Sequence, residues 1–434
     1  MTNKLYILCL ALFSLMIVKP AQGQENNNTS SPLSSFGVGE LSNNSTGRSN
    51  SMGGTAIGIR DRNQINPTNP ASYTARDSMS MVFEMGASGK QTRFNSSSSV
   101  NNTNDSNFDY IALSFRINDG LALAFGLQPY TNKGFNMLST KNVGTDSEAN
   151  ILYNGSGSVT KFFFGTGVKV LKNLSLGVNA DYYFGTLSTN YGTDFKNALT
   201  TDTYFSKTNR IRGLGLDAGL QYDINLKDDK LITIGAVYKL GTDLTRDYDV
   251  YDYYNSYVPN GQGGVVASKD TINYSTGKVK DVNIPYGLGL GFSFVNPDKL
   301  TVAADFYTED WSNYNDNIGQ QNNDVKYTRR YTASAGIEWI PEKYALRNYF
   351  KRISYRAGVK MENDYFTYKG NNIHTYAVTA GLGLPIARQR STLNIGIEFG
   401  TKGSATQTAM RQDYTKLYIS FALHDYWFFK RKID

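Results

Sequence analysis

The chain has 434 residues, of which 44 are lysine or arginine and 37 are aspartate or glutamate. This mild excess of positive charge includes no basic run beyond residues 430–432, so nucleic-acid binding has little support. The single cysteine, Cys9, lies in an apolar stretch near the start, which excludes a disulfide framework or a cysteine-held metal elsewhere. The 31 tyrosines, 23 phenylalanines and 41 glycines, with a mean hydropathy of −0.41, favour a β-barrel over a bundle of membrane helices.

Residues 1–23 are predicted to be a secretory signal peptide. Lys4 precedes an apolar run at 5–18, and the small-x-small cleavage site Ala21-Gln22-Gly23 follows. The run is too short to span a bilayer, which takes about 20 apolar residues, and no stop-transfer segment follows it. We therefore expect cleavage after residue 23 and export of the remaining chain.

Two further segments precede the first predicted strand. Residues 24–46 are rich in asparagine, serine and threonine, which predicts a flexible lead with apolar anchors at Phe36 and Leu41. Residues 47–77 are glycine-rich and contain prolines that fix the backbone φ angle and cannot continue a hydrogen-bonded ladder. We interpret 47–77 as a compact plug, or hatch, for the structure that follows.

From residue 78 to 424, apolar residues recur at every second position. In 174–185, leucine, valine and phenylalanine alternate with serine, glycine, asparagine and aspartate, so one face suits lipid and the other a wet lumen. A soluble β-sandwich would also alternate. The number of strands, their aromatic ends and the alternation of connection lengths favour the membrane.

The sequence therefore predicts an all-β fold: a transmembrane antiparallel barrel of about fourteen strands with the hatch in its lumen. The strands are expected near 78–89, 107–117, 120–129, 158–170, 173–185, 211–224, 230–240, 281–295, 299–309, 328–340, 353–363, 374–387, 391–402 and 413–424. Short connections alternate with long polar loops at 130–157, 186–210 and 241–280. This alternation places the hatch and a basic tail, 425–434, on the periplasmic side.

No complete catalytic or cofactor motif is found. His424 and Asp425 are adjacent, but they lie beside aromatic residues at the end of the last strand, where an interfacial anchor is expected. His374 is expected to be a solvated polar residue. A nucleotide-binding phosphate loop and a calcium loop are both missing from the sequence. We expect no enzyme activity, no cofactor and no metal.

The predicted lumen is lined by small and polar residues with charges of both signs. These charged residues are Lys161, Lys169, Asp181, Arg212, Asp217, Lys239, Asp305, Glu338, Arg356, Lys360 and Glu398. Mixed signs argue against an ion-selective ring. A barrel of this size has room for a narrow passage or for a folded plug.

Three stretches near the start resemble the FadL/TodX-type outer-membrane transport proteins. They are FGVGE at 36–40, SMGGTAIG at 51–58 and INPTNPAS at 65–72, and the Asn-Pro-Ala element is the most specific. The hatch motif so identified consists of Gly53, Gly54, Gly58, Asn66, Pro67, Asn69, Pro70 and Ala71. The resemblance implies a fourteen-stranded barrel closed by an N-terminal hatch, through which hydrophobic molecules pass and leave sideways. The basic tail resembles that of barrels from Bacteroidetes-type bacteria.

Two functions remain open. The first is an outer-membrane channel that takes up hydrophobic small molecules, similar to long-chain fatty acids, and releases them laterally. Its candidate ligand contacts are Phe36, Leu41, Met52, Ile57 and Ile59, although apolar side chains of the plug can equally pin it to the wall. The second is a non-transporting barrel that acts as a subunit or adaptor of an outer-membrane secretion or barrel-assembly complex. The expected partners are outer-membrane lipid, a hydrophobic ligand and, for the second function, other outer-membrane proteins.

Overall fold

The structure is a computed structural model that describes residues 28–43, 45–96, 99–142, 148–195, 201–259, 265–315, 317–318, 322–386, 391–408 and 410–426. The predicted signal peptide and the part of the predicted tail after residue 426 lie outside these residues. None of the described helices is long and apolar enough to cross a membrane.

The described residues form eighteen strands. They are β1 (Glu40–Leu41), β2 (Ser80–Ser96), β3 (Val100–Arg116), β4 (Leu121–Asn142), β5 (Glu148–Lys169), β6 (Leu174–Phe195), β7 (Asp202–Asn225), β8 (Leu231–Lys239), β9 (Thr242–Pro259), β10 (Val265–Ile284), β11 (Gly287–Asn296), β12 (Leu300–Asp310), β13 (Val325–Tyr327), β14 (Arg329–Trp339), β15 (Ser354–Tyr368), β16 (Asn371–Ile386), β17 (Ser391–Ser404) and β18 (Met410–Tyr426).

All strands except β1 belong to the wall of one closed antiparallel barrel. β8 continues into β9, β10 into β11 and β13 into β14, each across a break of one or two residues, so the wall has fourteen strands. β18 pairs with β2 from Tyr426↔Ser80 to Met410↔Ser96, which closes the barrel. The predicted all-β barrel of about fourteen strands is confirmed.

Side-chain alternation gives the wall its two faces. In β6, Leu176, Val178 and Tyr182 are exposed on the outside, whereas Asn179 and Asp181 are buried in the lumen. This is the arrangement of a membrane barrel, in which successive residues of a strand meet lipid and lumen in turn. Short turns join the strands at the end where β2 begins and β18 ends, which identifies that end as periplasmic.

The three segments predicted as long polar loops, 130–157, 186–210 and 241–280, are mostly strand, so that prediction is wrong. β4–β5, β6–β7 and β9–β10 continue there as antiparallel pairs. We call the strand residues within these three ranges the crown sheet. Polar side chains occur on both faces of the crown sheet, so much of its sequence lacks the alternation by which the lower strands are recognised.

The lumen is filled by residues 28–77. Their regular structure consists of the 3₁₀-helices Pro32–Ser35 and Pro70–Ala75, the α-helical turn Gly47–Asn50 and β1. A third 3₁₀-helix, Phe350–Arg352, lies in a periplasmic turn. Most residues of 28–43, predicted to belong to a flexible lead, are buried, because the polar lumen offers hydrogen-bond partners to their polar side chains.

Candidate functional site

The Asn-Pro motif of the hatch forms a hydrogen-bonded clasp near the periplasmic end. The side-chain amide of Asn66 donates to the carbonyl oxygen of Ala56 at 2.6 Å. That of Asn69 donates to the carbonyl oxygens of Ile57, at 2.8 Å, and of Leu220 in β7, at 3.2 Å. One asparagine therefore fixes the fold of the hatch, and the other also joins it to the wall.

Two glycines allow the hatch backbone to touch the wall. A Cβ on Gly53 would lie 2.5 Å from the carbonyl oxygen of Val359, and one on Gly58 would lie 2.7 Å from the backbone of Phe292. Gly53 and Gly54 also have φ angles of +71° and +90°, which side-chain-bearing residues rarely adopt. These glycines are needed for close contact between hatch and barrel.

Arg48 ties the hatch to the wall through buried charge. Its guanidinium pairs with Asp61 of the hatch and, at 2.7 Å, with Glu338 of β14. Glu338 also accepts a hydrogen bond from Arg356 of β15 at 2.6 Å. Burial lowers the pKa of Arg48, but Glu338 and Asp61 outweigh this effect and keep its pKa above the ordinary value. Arg48 therefore keeps its positive charge, and this charge holds the hatch to the wall.

Asp305 of β12, the strand next to β14, provides a second attachment of the hatch to the wall. Its carboxylate accepts hydrogen bonds from the backbone N–H groups of Ala56, at 2.5 Å, and Ile57, at 2.7 Å. Charge-assisted hydrogen bonds of this kind are roughly twice as strong as neutral ones. The apolar segment of the hatch is thus fixed by its backbone as well as by its side chains.

A belt of ion pairs lies on the inner face of the wall beside the hatch. Glu309 of β12 pairs with Lys239 of β8 at 3.1 Å and with Arg330 of β14 at 3.2 Å, and Arg330 also pairs with Glu362 at 2.8 Å. Further pairs in the belt are Lys161 with Asp181, Lys360 with Glu398, and Lys402 with Asp364. The two partners of each pair come from adjacent strands or from strands separated by one other, so the belt links neighbouring strands of the wall.

The cavities found in the lumen have linings that mix polar and apolar side chains. Two lie within the belt, with volumes of about 120 and 150 Å³, and a third, of about 310 Å³, lies toward the periplasm. The two cavities in the belt are smaller than usual ligand sites, which measure about 300–1,000 Å³, and the third is lined mainly by charged and polar side chains. Among the described residues, no group of three or more His, Cys, Asp or Glu side chains is placed to hold a metal.

An aromatic core closes the lumen toward the cell surface. Three buried apolar side chains of the lead pack there against the wall. The ring of Phe36 lies 5.5 Å from that of Phe366, and Trp311 lies 4.8 Å from Tyr365. The Tyr365 hydroxyl donates toward the carbonyl oxygens of Phe36, at 3.0 Å, and Gly39, at 2.7 Å. The lead is therefore part of a packed core.

Below this core, the lead adds a short strand to the wall. β1 pairs with β4, with Leu41 opposite Thr131. The carboxylate of Glu40 lies 3.7 Å from the ammonium groups of both Lys90 and Lys402. Burial raises the pKa of Glu40, but the two lysines outweigh this effect and lower the pKa to about 2.

The wall is split between β3 and β4. The two strands form only six residue pairs, of which the uppermost is Ile111↔Leu127. Above it, β3 stays paired with β2 and β4 with β5, but the described residues show no pairing between β3 and β4. Asp109 and Tyr130 are bulged out of register just above that last pair, and Pro129 has no amide hydrogen to donate. These features separate the strands.

The lead fills the lower part of this split. The side-chain amide of Asn28 donates to the side-chain oxygen of Asn132 in β4 at 3.2 Å. The backbone carbonyl oxygen of Asn28 accepts a hydrogen bond from the side-chain amide of Asn107 in β3 at 2.8 Å. Ser30 donates to Asp105 of β3 at 2.6 Å. At this height the two strands are therefore joined through the lead.

The structure does not bring the candidate ligand contacts into one site. Phe36 lies in the aromatic core and Leu41 in β1, whereas Met52, Ile57 and Ile59 lie between hatch and wall, only 0, 2 and 4% exposed. Leu41 and Ile57 share the cavity of about 120 Å³, together with lysines and carboxylates. That any of these residues contacts a ligand stays a prediction.

The charged residues predicted to face the lumen do so, with one exception. Arg212 pairs with Asp247 on the outer face at 2.7 Å, so that prediction is wrong. Lys169 lies exposed at the periplasmic end of β5, opposite the buried Ser175 of β6. Sequence reasoning missed Glu309, Arg330 and several other members of the ion-pair belt. Their inward positions follow the same two-residue period, which could have identified them, but their partners cannot be read from that period.

The fold is shared with outer-membrane channels of known structure. The Pseudomonas putida toluene transporter TodX is 16% identical, with a TM-score of 0.58 over 90% of this chain and 100% of that chain. The Ralstonia pickettii toluene transporter TbuX is 16% identical (TM-score 0.55; 90% and 98% covered), and a Pseudomonas aeruginosa FadL homologue is 12% identical (0.55; 90% and 99%). At such identity the likeness shows the fold alone. A search of curated proteins by sequence gives no match.

One family model matches the chain from residue 1 to residue 434. The match therefore includes the lead, the hatch and the whole barrel. The chain belongs to the BamG family.

Proposed function

We propose that this chain is a sealed, non-transporting barrel that serves as a subunit or adaptor of an outer-membrane complex for secretion or barrel assembly. The observation that carries the proposal is the threefold closure of the lumen by the clasped hatch, the ion-pair belt and the aromatic core. Residues of the continuous segment 28–77 form the hatch, supply three side chains to the aromatic core, and reach the belt where the Glu40 carboxylate lies 3.7 Å from the ammonium group of Lys402. A path through the barrel would therefore require most of this segment to move.

The chemistry of the lumen also argues against passage of apolar molecules. Such a molecule would have to separate pairs such as Lys239–Glu309, which are buried and 3.1 Å apart, without offering either charge a new partner. Breaking a buried pair in this way costs several kcal/mol, about 3–5 in measured cases. The cavity to which Leu41 and Ile57 supply apolar contacts measures about 120 Å³, which is smaller than usual ligand sites of about 300–1,000 Å³.

The cell-surface side, by contrast, presents groups suited to binding another protein. Leu138 of the crown sheet and Val100 at the start of β3 are 64 and 57% exposed. Aromatic and apolar side chains exposed to water often mark protein interfaces. This supports an adaptor role for the crown sheet.

Purification from native membranes in mild detergent tests the proposal. We expect the tagged chain to bring down a protein partner in stoichiometric amount. We also expect uptake of a labelled fatty acid to be equal in strains with and without the chain, with a variant lacking 47–77 as the open-lumen control. A chain that purifies alone, together with uptake that depends on it, would contradict the proposal.

The second candidate is a channel for hydrophobic molecules with lateral release. The split between β3 and β4 favours it, because an opening there would lead from the lumen to the outer leaflet. The structural neighbours TodX and TbuX are toluene transporters. In this case the lead would have to leave the split during transport.

A further inference from the structure

We infer that the upper part of the β3–β4 split is a docking site for an extended, strand-forming segment of a partner protein, which pairs with the open edge of β4. The inference rests on the proposed function, since it specifies the chemistry by which a subunit would bind its neighbour. It concerns a different part of the molecule from the sealed lumen.

The described residues of the lead do not reach the upper part of the split. Within them, the uppermost hydrogen bond from the lead to β4 joins the Ser34 hydroxyl and the N–H of Gly134 at 3.0 Å. β4 then runs eight residues further, to Asn142, paired with β5 alone. Across the split, β3 begins at Val100 and is paired there with β2 alone. Two strand edges with unused backbone hydrogen-bonding groups therefore face the split.

Exposed apolar side chains lie at the same height on the two edges. Val100 lies eleven residues before Ile111, and Leu138 lies eleven residues after Leu127, where Ile111 and Leu127 form the uppermost β3–β4 pair. In a closed wall, Val100 and Leu138 would be opposite each other. They are 57 and 64% exposed. A strand inserted here would cover both.

The other edge of the crown sheet differs in a way that identifies β4 as the docking edge. β10 is paired with β9 alone in the described residues, and its stretch 270–281 carries Asp270, Lys278, Lys280 and Asp281. Charged residues on an edge strand are a common protection against added strands. The open stretch of β4, 135–142, carries a single charge, Lys141. The edge of β4 is therefore less protected by charge than the edge of β10.

A polypeptide fits the open edge better than a lipid. The edge presents backbone N–H and C=O groups, which need hydrogen-bond partners that acyl chains do not carry. Peptides that add a strand to a sheet satisfy these groups and bind their alternate side chains in neighbouring pockets. The pairing of β1 with the lower part of the same edge shows that β4 accepts an extended segment.

Two substitutions and one exchange measurement test the inference on the native complex. Leu138→Lys places a charge on the open edge, and Ile272→Lys is the matched control on β10, where Ile272 is 62% exposed. We expect Leu138→Lys to reduce partner recovery at least tenfold and Ile272→Lys to leave it unchanged. Amide hydrogen exchange at 135–142 should be at least tenfold slower in the complex than in the isolated chain, with no change at 270–281.

The outcomes separate this inference from the proposed function. If the partner is recovered in full with Leu138→Lys and exchange at 135–142 is not slowed, the docking site is wrong while the adaptor role stands. If the unmodified chain has no stoichiometric partner, both are wrong. Both side chains are exposed, so neither substitution removes a core contact. Slowed exchange at 135–142 with loss of the partner only in Leu138→Lys supports the inference.

Discussion

The lower wall and the crown sheet contain many of the same strands, yet they are stabilised differently. In the lower wall, inward charges such as Glu338 are buried between two arginines, and hatch glycines touch the wall backbone. In the crown sheet, pairs such as Arg210–Asp249 are largely open to water on the arginine side. Buried pairs cost much to break, whereas exposed ones contribute little. The comparison indicates that the lower wall holds the hatch that closes the lumen, and that the crown sheet is available to bind a partner protein.

The largest expected effect comes from Glu338→Ala. It leaves Arg48 and Arg356 buried without their shared carboxylate, which should destabilise the folded barrel by about 3–5 kcal/mol. Unfolding in denaturant measures this change. Asp249→Ala in the crown sheet is the control and should leave the free energy of unfolding almost unchanged, because exposed ion pairs contribute little. Equal losses in the two variants would contradict the distinction between the regions.

Gly58→Val should push the hatch away from the wall. The new side chain would meet the backbone of Phe292, and overpacking of this kind costs up to about 3 kcal/mol. Ion conductance in planar bilayers measures whether the lumen opens, and we expect it to rise from near zero. Gly89→Ala, whose Cβ would lie 4.0 Å from the nearest atom, is the control and should not conduct. A closed Gly58→Val barrel would show that tight hatch contact is not required.

Release of the lead should depend on pH through Glu40. The pKa of this carboxyl is about 2 in the folded chain and 4.5 for an ordinary glutamate, so its stabilising effect is complete above pH 4.5 and is lost as the pH falls toward 2. The contribution is about 2 kcal/mol after allowance for its partial exposure. Hydrogen exchange of 28–41 between pH 5 and pH 2 measures it. Glu40→Gln should make exchange protection independent of pH in this range, and an unchanged pH dependence would exclude Glu40 as its source.

A smaller effect is expected from Tyr365→Phe, which removes the hydroxyl that holds the carbonyl oxygens of Phe36 and Gly39. One hydrogen bond contributes about 1 kcal/mol, so the lead should open roughly fivefold more often. The labelling rate of a cysteine introduced at buried Leu33 reports this opening. Tyr274→Phe in the crown sheet should leave the rate unchanged. Equal rates in both variants would mean that the Tyr365 hydroxyl does not hold the lead.

The sequence predicts the lower wall well because lipid and lumen impose a strict two-residue period there. The prediction from sequence fails in the crown sheet. Much of a strand such as β10 (Val265–Ile284) is exposed to water on both faces, so its sequence resembles that of a polar loop. The sequence also predicts a flexible lead, because the composition of the lead shows how little apolar surface it can bury. In a polar lumen, contacts such as Ser30–Asp105 replace that burial.

The candidate site was less predictable for a different reason. The charges that close the lumen lie at inward positions that the period identifies, but their pairing depends on three-dimensional neighbours. Arg48 and Glu338 are 290 positions apart in the chain. One feature of the sequence, Pro129, marks the split in the wall. A proline at this position is compatible with either a kink in the strand or the end of the strand.

The most direct test of the sealed lumen locks the lead in the split. Leu41 and Thr131 are opposite each other on β1 and β4, and opposed residues of antiparallel strands have Cα atoms about 4.5–5.5 Å apart, which suits a disulfide. Uptake of a labelled fatty acid is then measured in cells with Leu41→Cys/Thr131→Cys, oxidised and reduced, beside the unmodified chain and a deletion strain. The sealed barrel predicts equal uptake in all four. Uptake that requires the chain, stops on oxidation and returns on reduction would contradict it.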